Sequence, residues 1–123
     1  MSKEIIIQEL ASLIRTLEFI QEEQAFIKRK LTDMIQRMTV GDSVALAEEM
    51  HQQILNRELA IQIVQKDVIS LDRKLKITSN ASFDESGTLC VFKKYKQQVT
   101  YLEQEFLNWK HAVDQKFEIP TEH

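Results

Sequence analysis

The chain has 123 residues, of which 28% are charged, and a formal net charge of −3 at pH 7. Its two glycines and one proline are too few for the many turns of a β-sandwich, so the composition excludes that class and favours long helices. The weak net charge argues against a strongly basic nucleic-acid-binding protein, and the single cysteine cannot form an intramolecular disulfide. We expect one helical domain over residues 1–123.

No stretch of the sequence approaches the ~18 apolar residues of a membrane-spanning helix. The apolar run close to the N-terminus, residues 5–7, is too short for a signal peptide. We therefore expect a cytoplasmic protein without a membrane partner.

The first predicted helix covers about residues 3–39, where apolar residues recur at alternating spacings of four and three. This heptad pattern is typical of a helix that buries one side against other helices. Gln24 interrupts the pattern. The apolar members of the series are Ile6, Leu10, Leu13, Leu17, Ile20, Ile27, Leu31, Met34 and Met38.

A turn is predicted at Gly41. If the helix continued through Gly41, half of the positions that extend the first series would be polar. The next apolar series is displaced by two residues from those positions, which corresponds to about 200° around a helix. Gly41 suits the left-handed position after a helix, and Asp42 or Ser43 can cap the helix that follows. The alternative is one kinked, continuous helix.

The second predicted helix covers about residues 43–77, and Arg57 interrupts its apolar series. That series, at the same heptad spacing, is Ala47, Met50, Ile54, Ile61, Val64, Val68, Leu71 and Leu75. A polar loop over residues 78–87 follows.

The third predicted helix covers about residues 85–118 and is followed by a frayed tail, 119–123. Ser82 and Glu85 match a capping box, although Gly87 leaves open a start nearer Thr88. The third apolar series is Phe92, Tyr95, Val99, Leu102, Phe106, Trp109 and Val113. Together these elements predict an all-α fold of three long antiparallel helices, up-down-up, in a coiled-coil-like bundle that associates into a dimer.

The two polar interruptions are predicted to meet. A turn at Gly41 sets each residue i opposite about residue 82 − i, so that Gln24 faces Glu58 and lies close to Arg57. The third helix brings Glu105 to the same level. We expect a polar core layer of Arg57, Gln24 and an acidic residue (Glu23, Glu58 or Glu105), which would set the register of the helices. Alternatively, Arg57 lies at the bundle edge with its head in water.

Several large apolar residues lie away from the three heptad series. A single three-helix bundle leaves such residues exposed, and an exposed apolar patch commonly marks a protein interface. We expect a homodimer, although a bent bundle that buries these residues internally is the alternative. The predicted interface residues are Phe19, Phe26, Leu55, Leu59 and Ile63.

Candidate chemistry is sparse. Glu48 and His51 form an E-x-x-H motif, half of the ligand set of di-iron helical bundles, but both flank the apolar series, so a solvated first turn is the favoured interpretation. Lysines and tyrosines alternate over residues 92–101 and could follow a phosphate backbone, which the nearby acids oppose. No phosphate-binding glycine loop or G-x-S-x-G motif occurs.

The sequence therefore favours a non-enzymatic interaction module without a cofactor. It would associate with itself and with a further protein, in an adaptor or chaperone-like role. The alternatives are a ligand- or metal-binding carrier bundle and a helical protein that binds nucleic acid weakly.

Overall fold

A computed structural model describes residues 1–37 and 42–117, without the side chains of Asp42, Ser43 and Phe117. This part of the chain contains no strand and forms three long helices, so the predicted all-α fold is confirmed. The helices are α1 (Lys3–Arg37), α2 (Asp42–Ile77) and α3 (Glu85–Phe117). The predicted turn residue Gly41 lies outside the described residues, as does Met38.

The first turn of α3 differs from the prediction. Asp84 caps it, because its Oδ1 accepts a hydrogen bond from the backbone N–H of Gly87 at 3.1 Å. The predicted capping box of Ser82 and Glu85 is wrong, since Ser82 belongs to a short 3₁₀ turn, Asn80–Ser82, that precedes the cap. A start nearer Thr88 is wrong as well. A Cβ at position 87 would lie too close to the Asp84 carboxylate, so a larger residue there would require the Asp84 side chain to shift.

Interhelical side-chain pairs show that the helices run up-down-up, as predicted. One pair joins the start of α1 to the end of α2 and others join the middle of both helices, so α1 and α2 are antiparallel. The pairs between α2 and α3 show in the same way that these helices are antiparallel, and α3 is therefore parallel to α1. The pairs are Lys3 with the backbone carbonyl of Thr78 directly after α2, and the side-chain pairs Gln21 with Gln65, Lys28 with Glu58, Arg57 with Glu105, Gln53 with Trp109, and Glu23 with Lys110.

The side-chain contacts between α1 and α2 are displaced from the predicted register. In the pairs Gln21–Gln65 and Lys28–Glu58, the two residue numbers add to 86, whereas the sequence predicted about 82. Side chains in a helix lean towards the N-terminus of that helix. Two side chains that touch across an antiparallel pair therefore both belong to residues with higher numbers than the residues whose Cα atoms lie at that level. This lean accounts for part of the displacement.

The core consists of the three predicted apolar series. In α1 the series is buried from Ile6 to Leu31, whereas in α3 Tyr95 and Leu102 are only half-buried. The α1 helix is therefore the most completely covered of the three. Its buried apolar residues are Ile6, Leu10, Leu13, Leu17, Ile20, Ile27 and Leu31.

Candidate interaction surfaces

Three large apolar residues form a row on the outer side of α2. Leu55, Leu59 and Ile63 are spaced by four residues, so they lie on one face of the helix. Their exposed fractions are 39%, 59% and 57%. Core residues of the same helix, such as Ile54 and Ile61, point to the opposite side and are buried. Leu55, Leu59 and Ile63, called the α2 row below, therefore present a continuous apolar strip to solvent.

The two predicted interface residues of α1 lie apart from the α2 row. Phe19 is 49% exposed, whereas Phe26 is half-buried, packs against the core and lies 5.5 Å from the Lys30 ammonium, measured to the ring centroid. The two phenylalanines are seven residues apart, so they share one side of α1. This side faces α3, where Glu23 pairs with Lys110. The structure therefore does not bring the five predicted interface residues into one patch.

Arg57 lies in a contact between α2 and α3. Its Nη1 donates a hydrogen bond to Glu105 Oε1 at 2.9 Å, and its guanidinium lies 5.0 Å from the centroid of the Trp109 ring. The Trp109 indole N–H donates to Gln53 Oε1 at 2.9 Å. Burial lowers the pKa of Arg57 from its usual value, whereas the negative charge of Glu105 and its hydrogen bond to Arg57 act in the opposite direction.

Glu105 also influences a neighbouring phenol. It raises the pKa of Tyr101 through a side-chain hydrogen bond and through its negative charge. The polar contact of Arg57 and Glu105 therefore extends along α3 to an exposed aromatic residue.

The other members of the predicted polar layer have separate surroundings. Glu58 pairs with Lys28 at 3.2 Å, and Glu23 pairs with Lys110 at 2.6 Å. Gln24 is only 1% exposed, and neither its Nε2 nor its Oε1 has a hydrogen-bond partner. The structure thus brings Arg57 and Glu105 together and does not hydrogen-bond Gln24 to either of them.

Sequence reasoning missed the polar pairs along the edges of the core. Gln21 and Lys28 are seven residues apart, as are Glu58 and Gln65, and each of these residues directly follows a core position of its heptad. This spacing could have indicated a row of interhelical pairs between α1 and α2. Nothing in the spacing selects Gln53 as the partner of Trp109.

The E-x-x-H residues lie in the early part of α2. Glu48 is exposed and His51 is half-buried. Among the described residues, no group of three or more histidine, cysteine, aspartate or glutamate side chains could hold a metal ion.

A cleft of about 200 Å³ lies where α2 ends and α3 begins. Its apolar lining includes Leu75 and Phe83, and its charged lining residues are Lys74 and Asp84. No histidine or cysteine lines this cleft, so it offers no nucleophile paired with a histidine base.

The fold and these surfaces define an all-α, three-helix bundle with an exposed apolar row and interhelical polar pairs. The chain matches no family model, and neither the curated proteins nor the solved structures include a significant match. Across residues 1–37 and 42–117, no helix has the length and apolar character needed to cross a membrane.

Proposed function

We propose that this chain is a non-enzymatic helical interaction module that associates with itself and with a further protein in the cytoplasm, in an adaptor or chaperone-like role. The observation that carries this proposal is the α2 row. Exposed apolar residues are common singly, but a row on one helical face matches the way amphipathic helices dock against partners.

The exposed α2 row gives a partner apolar surface to bury. Complete burial of a leucine or isoleucine side chain is worth about 1.5–3 kcal/mol relative to leaving it exposed. Leu59 and Ile63 keep more than half of their surface in water, so a partner that covers them recovers much of this free energy. Part of the gain is offset by the lost freedom of the two molecules.

The placement of charged groups also supports a role in assembly. The largely buried ion pair of Glu23 with Lys110 joins α1 to α3, and Arg57 with Glu105 joins α2 to α3. Each pair holds two helices together. The charges therefore suit the positioning of helices, so that the α2 row is presented on a defined scaffold.

The test compares two leucines of similar exposure on different helices. Leu59→Glu places a charge in the α2 row, and Leu107→Glu places one on α3, where Leu107 is 47% exposed. We expect Leu59→Glu to lower self-association measured by sedimentation velocity, with Leu107→Glu close to the parent. Equal association of the two variants would contradict the proposal.

The chaperone-like role makes a further prediction. A partner that binds only the folded chain raises its melting temperature by mass action. A candidate client peptide should therefore raise the melting temperature of the parent more than that of Leu59→Glu in differential scanning fluorimetry. An equal rise in both would show that the α2 row does not bind the client.

A further inference from the structure

The outer side of α2 carries a second heptad series. Its members recur at alternating spacings of three and four, and all are exposed except the half-buried Ile69. At 100° per residue, this outer series lies about 160° around α2 from the buried series, so it faces away from α1 and α3. It consists of Ala45, Glu48, Gln52, Leu55, Leu59, Gln62, Lys66 and Ile69.

We propose that the outer series binds the same series of a second copy of the chain, with the two α2 helices antiparallel across a two-fold axis level with residue 57. This rests on the proposed function, because it names the partner and orientation of the surface that includes Leu55 and Leu59. The two-fold axis makes each contact occur twice.

Self-complementarity of the series supports the antiparallel alignment. Apolar residues meet apolar residues, amides meet amides, and an acid meets a base. The pairs between copies are Leu55 with Leu59, Gln52 with Gln62, Glu48 with Lys66, and Ala45 with Ile69. All eight positions of the outer series thus have a chemically matched partner in this single alignment.

Other alignments of the same surface lose this match. A parallel, in-register pair would set Glu48 against Glu48 and Lys66 against Lys66, and like charges in contact repel. The next antiparallel alignment would set Leu55 against Lys66 and Leu59 against Gln62, which removes the leucines from one another. Charge and hydrophobic contact therefore favour the same arrangement.

The length of the series suits a shallow helix crossing. From Ala45 to Ile69 the helix extends about 36 Å, and the heptad spacing allows two such helices, crossing at about 20°, to stay in contact over this distance by supercoiling around each other. Glu48 then remains close to Lys66 of the second copy. Four leucines form the centre of the contact, so we expect a dimer that dissociates on dilution.

Disulfide trapping tests the orientation. The exposed native thiol is first removed by Cys90→Ser. Gln52→Cys and Gln62→Cys are then made in separate, mass-distinguishable chains, which are oxidised alone and as a mixture. The antiparallel arrangement brings position 52 of one copy to position 62 of the other, so the mixture should form a mixed disulfide and neither variant alone should form much.

Charge reversal provides an independent measurement. Glu48→Lys or Lys66→Glu alone creates two like-charge contacts in the dimer, and we expect each to raise the dimer Kd about tenfold at low salt. The double variant Glu48→Lys with Lys66→Glu restores opposite charges within each pair, so its Kd should return to about that of the parent. Each single variant also serves as the folding control for the double variant.

The outcomes separate the arrangement from the proposed function. Mixed disulfides together with restoration by the double variant support the arrangement. Disulfides within each variant alone, or a parent that stays monomeric into the millimolar range, overturn it. If Leu59→Glu lowers association but no mixed disulfide forms, the antiparallel dimer is wrong and the proposed function stands. If Leu59→Glu and Leu107→Glu associate equally, the proposed function fails as well.

Discussion

The three-helix bundle is built differently along its length. From Ile6 to Ile20 the buried side of α1 is entirely apolar, and we call this part the apolar end. Farther along, amide, indole and charged side chains pair across every helix interface. We call this part the polar segment, and it comprises residues 21–28 of α1, 53–65 of α2 and 105–110 of α3. The two parts make different demands on the alignment of the helices.

Apolar burial and polar pairing act differently on a bundle. Burial of apolar surface is worth about 25 cal/mol per Å² and has no direction, so leucines tolerate several alignments of neighbouring helices. A buried charge or amide is satisfied only where its partner lies within hydrogen-bond distance. We infer that the apolar end supplies more of the folding free energy and that the polar segment selects one register.

The largest expected effect concerns the apolar end. Leu17 is fully buried, so Leu17→Ala removes core contacts and leaves a cavity, and we expect the free energy of unfolding to fall by about 2–5 kcal/mol. Urea denaturation followed by circular dichroism measures this change. Ile5→Ala is the control on the same helix, because Ile5 is 47% exposed and should lose far less. Similar losses in both variants would show that the apolar end is not the main source of stability.

A smaller effect is expected for the charges of the polar segment. The side chains of Glu23 and Lys110 are largely buried, whereas those of Lys28 and Glu58 are each about one-third exposed. Double-mutant cycles with glutamine substitutions should give a coupling free energy of about 1–3 kcal/mol for the buried pair, and about 0.5 kcal/mol or less for the exposed pair, which water screens. A coupling that is larger for the exposed pair would break the contrast.

An effect of the opposite sign is expected at Gln24. Its two unpaired amide atoms are buried, so Gln24→Leu should raise the free energy of unfolding by about 1–2 kcal/mol. The control Gln21→Leu removes a hydrogen bond to Gln65 and should lower the free energy of unfolding slightly. Destabilisation by Gln24→Leu in the same urea titration would show that the Gln24 amide is satisfied in solution.

The core could be predicted from spacing because apolar periodicity alone decides which side of a long helix is buried. The capping residue of α3 could not be predicted with the same success, since Ser82 and Asp84 are both good caps and only the path of the 3₁₀ turn distinguishes them. Likewise, Phe26 and Phe19 share one helical face in the sequence, yet the packing half-buries Phe26 and leaves Phe19 more exposed.

By itself the sequence determined the three helices, their buried sides and the exposed row of Leu55, Leu59 and Ile63, because these depend on residue spacing within a single helix. Only the tertiary structure decided that Arg57 pairs with Glu105 and that Gln24 is buried without a partner. Such pairings depend on the relative height and rotation of separate helices, and a displacement of a few residues between α1 and α2 changes which side chains can reach one another.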